Sequence, residues 1–275
     1  MTSAAQFTGS GRAHPGSATG RRHVQVAGVP VFDGGFDDAV AVCAGLIASR
    51  EGGRVATANL DFLALARRHA QLHTDLNNST LVVADGMPVA WLGRLAGAHA
   101  IGRVPGVDLA PAVLRAASSR EPIRVVLYGA EPDIARRSAA YLAAIAPQAA
   151  IADVISPPFR ALTASEEQSY IVRLTAAAPH VVLVALGCPA QERLIAEWSQ
   201  VLPSALWLGI GGTFDFLAGK RKRAPRLMQA TGLEWVFRMI QEPRRLGPRY
   251  LGRDIPALVT ITWHCLRDRS GRSAP

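Results

Sequence analysis

A chain of 275 residues, 49% hydrophobic and 19% charged, can bury a sizeable core and points to one folded α/β domain with an appendage, which excludes a disordered or fibrous class. Three cysteines, Cys43, Cys188 and Cys265, have no paired or ligand-like spacing, so neither a disulfide framework nor a zinc site is indicated and a reducing compartment fits. The net charge of +9 is local: residues 220–275 hold 13 Lys and Arg against 4 Asp and Glu, whereas the rest of the chain has 17 of each sign, so an anionic partner is expected at that end.

Residues 1–23 are rich in Ser, Gly and Ala without an apolar run, and read as a disordered tail rather than a secretory signal. VQVAGVPVF, Val24 to Phe32, predicts two short strands around Gly28, and Asp33 to Asp38 open a helix that runs to about Ser49. Beyond it, apolar runs at Arg54–Ala58, Thr80–Ala84, Ile123–Tyr128, Ala149–Ile155, His180–Leu186 and Ala205–Ile210 suit buried parallel strands. Helical spacing fills the intervals at Leu60–His73, Met87–Ala96, Val107–Ser118, Ile134–Ile145, Ser165–Ala177 and Gln191–Gln200. Strand and helix in alternation predict an α/β, doubly wound, mostly parallel sheet over residues 24–219.

After Gly219 the composition changes, and residues 220–275 read as a basic helical appendage. It holds KRKRAP, a helix Leu233–Gln241, an Arg-rich turn after Pro243, and a last apolar helix from Asp254 to about Leu266. No stretch reaches the roughly eighteen consecutive apolar residues of a spanning helix. The last helix, flanked by Arg253, Arg267, Arg269 and Arg272, suits an anionic membrane surface or a neighbouring subunit of the same chain.

Ligands of open α/β sheets lie beyond the carboxyl ends of the strands. The residues expected there are Thr57 and Asn59, Asp85 and Gly86, Gly129, Gly187 with Gln191 and Glu192, and Gly209, Gly211 and Gly212 with Asp215. Glycine turns let backbone N–H groups approach a phosphate, which favours a nucleotide. GIGG lacks the third glycine of a dinucleotide fingerprint, and GGTFDFLAGK has Phe214 where a phosphate loop needs Gly. Asp85, at a strand end and followed by glycine, is placed either as a general base or as the N-cap of the next helix. Thr57 and Asn59 are equally placed to cap a helix, Arg103 to pair with Asp108, and Gln191 to fill a first helical turn. Asp215 and Glu234 look like partners for nearby arginines. Trp235, Phe237 and Met239 suit packing rather than a ligand box.

Seven motifs in order carry a resemblance: TAN at 57–59, ADG at 84–86, RVPGVD at 103–108, GCPAQE at 187–192, GIGGTFDFLAG at 209–219, RAP at 223–225, and GLEWVFR at 232–238 followed by Glu242-Pro243. Together they resemble the WecG/TagA/CpsF glycosyltransferases of bacterial surface-polymer synthesis. The resemblance implies a Rossmann-like core and an inverting transfer from a UDP-sugar, usually of the N-acetylmannosamine type, to a sugar on a polyprenyl diphosphate. It further implies a cytoplasmic protein, peripheral on the inner face of the plasma membrane, whose appendage completes the active site. Carried over by position, the general base falls on Asp85, active-site polar residues on Thr57, Asn59, Arg103 and Gln191, and the diphosphate-gripping arginines on Arg238, Arg245 and Arg249. Ala190 departs from a commonly basic position, and Cys188 occupies a variable one.

No Asp-x-Asp occurs in the sequence, so no metal or other cofactor is expected and arginine forks are the available counter-charge for a departing UDP. Two rival readings share the same chain: an NAD- or SAM-dependent enzyme on the same fold, and a nucleic-acid-binding protein using the basic end. The second lacks aromatic side chains arranged for bases, so no nucleic-acid partner is expected.

Overall fold

The computed structural model describes residues 21–117 and 122–272. Residues 1–20 of the expected tail, and Ser118 at the expected end of one helix, lie outside the described residues. His23, counted with that tail, instead opens β1 (His23–Val26), which pairs antiparallel with β2 (Val29–Phe32). Ala27 and Gly28, at φ 54° and 78°, form the two-residue turn between them, whose left-handed geometry matches the twist of the flanking strands.

Helix α1 (Phe36–Ser49) leads into a six-stranded, all-parallel sheet of order β4-β3-β8-β7-β5-β6. Its strands are β3 (Gly53–Ala58), β4 (Leu81–Ala84), β5 (Ile123–Gly129), β6 (Ala149–Ile155), β7 (Val181–Ala185) and β8 (Leu206–Gly209). The near-continuous Val and Leu content of β4, β5, β7 and β8 follows from burial on both faces, whereas edge strand β6 is buried only at its two ends. Alternation along each strand sends one set of side chains, such as Val55, Val83, Val125, Leu183 and Leu208, to one layer, where they meet α1, α5 (Gly106–Ala116), α6 (Pro132–Ile145) and α9 (Thr213–Leu217). The opposite set divides between two clusters. Ala58, Val82 and Ala84 pack with α2 (Leu60–Ala66), α3 (Ala70–Asn77) and α4 (Met87–Leu95), whereas Val126, Val184 and Trp207 pack with α7 (Ala164–Ala177) and α8 (Ala190–Trp198). The expected doubly wound architecture is therefore present, with a separate hairpin at one edge.

Two local expectations are corrected. The helix expected over Leu60–His73 is two helices, α2 and α3, because the chain turns at exposed Arg67 and Arg68 so that both Leu63 and Leu76 reach the same cluster. The Arg-rich turn after Pro243 is helical: α10 (Arg226–Ala230) and α11 (Glu234–Gln241) precede α12 (Pro243–Arg249), a π-helical turn (Tyr250–Asp254) and α13 (Ile255–Arg272). Pro243 starts a helix because a first-turn residue needs no backbone donor.

The appendage is not loosely attached. Ile261 and Cys265 of α13 are buried in the same cluster as Val26, Leu63 and Leu92, and Ile261 is 1% exposed. Ile261→Ala is expected to destabilise the whole protein by about 2–5 kcal/mol, read as a lowered Tm; an unchanged Tm would show that α13 is a passenger. Among the described residues, no helix is long and apolar enough to cross a membrane.

Candidate functional site

The carboxyl ends of β3, β4, β7 and β8 open into one pocket of about 450 Å³, within the range of small-ligand sites. Its walls bring together Thr57, Asn59, Asp85, Arg103, Gln191, Gly211, Gly212, Arg238 and Arg249, all expected site residues, from opposite ends of the chain. The mouth is apolar on one side, with Met87, Trp91, Ile255 and Leu258.

Asp85 directly follows β4, its N–H still paired with the Ala58 carbonyl at 2.9 Å. It does not cap α4, whose N-cap is Gly86. Its Oδ1 instead accepts from the Gly106 N–H, 2.9 Å away, at the start of α5. Gly106 allows that approach: a Cβ there would come within 3.3 Å of the Thr57 and Thr213 side chains. Burial pushes the Asp85 carboxyl above its usual range, against the lowering influence of the Gly106 N–H, Arg238 and Arg103, and Glu234 adds to the rise. Asp85 is thus a desolvated carboxylate aimed at a pocket with cations within electrostatic reach.

Arg103 is built into this arrangement. Its Nε donates to the Asp85 carbonyl at 3.2 Å, Nη1 donates to the Gln229 carbonyl at 3.3 Å, and Nη2 pairs with Glu234. Asp108, the partner expected for Arg103, pairs instead with Arg223 through two bonds of 3.0 and 3.1 Å. Glu234 and Asp215 do serve arginines, Asp215 facing Arg221 at 3.2 Å.

Thr57 and Asn59 hold local structure. The Thr57 hydroxyl donates to the Gly209 carbonyl at 2.7 Å, tying β3 to β8. Asn59 Oδ1 accepts the N–H groups of Asp61 and Phe62 at 3.0 and 3.3 Å, as an N-cap of α2. Its amide nitrogen has no partner among the described residues. Gln191 is fully buried, and its amide oxygen accepts from Gly187 and Gly211 N–H at 3.3 and 3.0 Å. The Gly211 donor expected to meet a phosphate is therefore committed to a side chain.

The three C-terminal arginines differ. Arg238 lines the pocket with its guanidinium over the Phe216 ring at 5.9 Å, and has no carboxylate ion-pair partner among the described residues. Arg249 is held between Asp61 and Asp254, each at 3.3 Å, and lies over Tyr250. Arg245 belongs to α12, and its side chain lies outside the described residues. Among the described residues, Arg253 also reaches Asp61, so the π-helical turn is clamped to α2 by charge.

Sequence reasoning missed part of the lining. Trp235, expected to pack in the core or between subunits rather than against a ligand, lines the pocket edge-on to Tyr250 with ring centroids 5.7 Å apart. Trp91 stands at the mouth, 42% exposed. Neither has a sequence signal beyond being aromatic, because the segments that bring them together are far apart in the chain. A family model, described as the Glycosyl transferase WecG/TagA/CpsF family, matches residues 24–271.

Proposed function

The chain belongs to the WecG/TagA/CpsF family of glycosyltransferases, and from that membership we propose an inverting, metal-independent transfer of a hexose, N-acetylmannosamine-type or related, from a UDP-sugar to a polyprenyl-diphosphate-linked sugar. The observation that supports it most is the convergence of Asp85 and Arg238 on one pocket, a raised carboxyl just past β4 and a guanidinium of α11 with no carboxylate partner among the described residues. In this reading Asp85 takes the proton of the acceptor hydroxyl as it attacks the anomeric carbon, and the C1–O bond to UDP breaks on the opposite face. Arg238 meets the charge that develops on the departing diphosphate, in a site where a fixed guanidinium needs no reorganisation.

Arg249 and Arg245 are the second and third cations of the same proposal. Arg249 would have to exchange Asp61 or Asp254 for phosphate oxygen, since both carboxylates hold it in the free protein. Arg103 and Asn59 orient the sugars in this reading, Thr57 and Gln191 act through the backbone turns they hold, and Gly212, beside the committed Gly211, gives the nucleotide a close backbone approach; Gly209, expected to bind substrate, instead faces Gln191 and Glu192 behind the wall.

The acceptor side is read from the mouth. Ile255, Val259 and Trp263 recur every fourth residue of α13, at 41%, 65% and 55% exposure, and form an apolar stripe opposite buried Ile261 and Cys265. Such a stripe beside Arg267 suits the surface of an anionic membrane, which supports a cytoplasmic enzyme peripheral to the inner face of the plasma membrane.

The reading is tested by incubating the protein with a synthetic lipid-diphosphate-linked sugar and a panel of UDP-sugars, with and without EDTA. Transfer from a UDP-sugar, unchanged by EDTA and accompanied by thermal stabilisation with UDP, is the expected result. Stabilisation by NAD or SAM and none by UDP would overturn it, as would complete loss of transfer in EDTA for the metal-independent step.

A further inference from the structure

Glu192 has no part in the chemistry above, yet it sits directly behind the pocket wall. It stands in the first turn of α8, is 5% exposed, and its Oε1 accepts a 2.6 Å hydrogen bond from Gln191 Nε2. Its Oε2 is buried without a hydrogen-bond partner among the described residues. Gln191 in turn bridges the backbones of Gly187 and Gly211, one in each of the turns that follow β7 and β8. Both glycines are left-handed, at φ 81° and 50°, so neither turn is a shape that an ordinary residue would hold by itself. Gly209 completes the fit, since a Cβ there would lie 2.9 Å from Gln191 Nε2 and 3.2 Å from Glu192 Oε1.

A carboxamide is nearly symmetric in shape and opposite in chemistry at its two ends. With its oxygen toward the two glycines, Gln191 gives two donors one acceptor. Turned over, its NH₂ would face two N–H groups, and its oxygen would face a carboxyl oxygen. The orientation is favoured from both ends, by the two glycine donors on the oxygen side and by an acceptor on the nitrogen side, and Glu192 Oε1 is that acceptor.

We propose that Glu192 is a positioning residue of this pocket: by accepting from Gln191 Nε2 it holds the Gln191 oxygen on Gly187 and Gly211, and so joins two glycine turns into one rigid wall for the donor nucleotide. This rests on the transferase reading for what packs against the wall; the latch itself does not depend on it. Burial also pushes the Glu192 carboxyl up to about 7. Gln191, the Cys188 thiol and the Glu192 N–H favour its anion, Asp75 of α3 opposes it, and Asp61 and Arg249 act on the adjoining Cys188. The neutral acid keeps Oε1 as an acceptor, whereas the anion leaves a buried charge beside an unsatisfied oxygen.

Glu192→Gln keeps both volume and acceptor, and Glu192→Met keeps volume and removes the acceptor. The test reads the amide resonances of Gly187 and Gly211, UDP-sugar KM and kcat, and Tm between about pH 5 and about pH 8. Glu192→Met is expected to move both glycine resonances and to raise donor KM at least tenfold with a smaller change in kcat, and Glu192→Gln to restore both. A carboxyl raised on folding loses stability as pH climbs from its unfolded to its folded value, so wild-type Tm should fall relative to Glu192→Gln across that window. Wild-type resonances and KM in Glu192→Met, or a Glu192→Gln that behaves as Glu192→Met, would overturn the proposal. If UDP binds to no form, the transferase reading fails while the resonances and melting curves still decide the latch.

Discussion

Asp85→Ala is expected to lower kcat by roughly 10²- to 10⁴-fold, the usual worth of a positioned base, while UDP affinity changes by no more than a few-fold. The carboxylate is engaged by the Gly106 N–H through Oδ1, which aligns it without neutralising it, and it faces a pocket reached by both ends of the chain. Its burial outweighs the opposing influence of Gly106, Arg238 and Arg103, so its pKa is raised. A base must be ionised to act; kcat/KM should therefore rise with pH along an acid limb displaced upward from the ordinary carboxylate range near 4. Asp85→Asn should abolish that limb. Asparagine can still accept from Gly106, and it removes the destabilisation that grows as pH rises from the unfolded toward the folded pKa of Asp85, so a slightly higher Tm at neutral pH should accompany the lost activity. A variant that turns over at near wild-type rate would remove Asp85 from the chemistry.

Arg238→Ala is expected to reduce kcat by about 10²- to 10³-fold, the effect of deleting one preorganised donor to developing charge. Among the pocket arginines, Arg103, Arg221 and Arg249 each face carboxylates, whereas Arg238 has an aromatic ring beneath it. Its charge is therefore the one least compensated before a diphosphate arrives. Arg238→Lys should recover only part of the rate, because an ammonium supplies the charge without the planar fork that grips two oxygens. Should the Ala variant retain wild-type kcat with intact UDP binding, the guanidinium would be a packing partner of Phe216 and the counter-charge would have to come from Arg249.

Much of this was legible in the sequence for a definite reason. The inner strands are apolar on both faces, so runs such as 123–128 and 205–210 stand out against polar surroundings, and the polar residues just past them mark the rim of an open sheet. The bend that divides α2 from α3 was not legible, because helical spacing continues through Arg67 and Arg68 and only packing interrupts it. Nor was the helical character of residues 243–254. Proline and arginine there read as a turn, yet the segment is held in place through Arg249 and Arg253 by Asp61, far earlier in the chain.

The amino-acid sequence by itself determined the sheet, the hairpin, the basic end and the residue types the pocket would hold, since periodicity and composition are local and additive. Tertiary structure alone decided which of those residues face the pocket uncommitted. Thr57 and Gln191 carry polar groups suited to a ligand and use them on backbone, Arg249 carries a charge and finds two carboxylates, and Arg238 carries the same charge and finds a ring. The availability of a donor or a charge is set by what lies within about 4 Å of it, and that neighbourhood is assembled from elements whose separation along the chain leaves no trace in either local sequence.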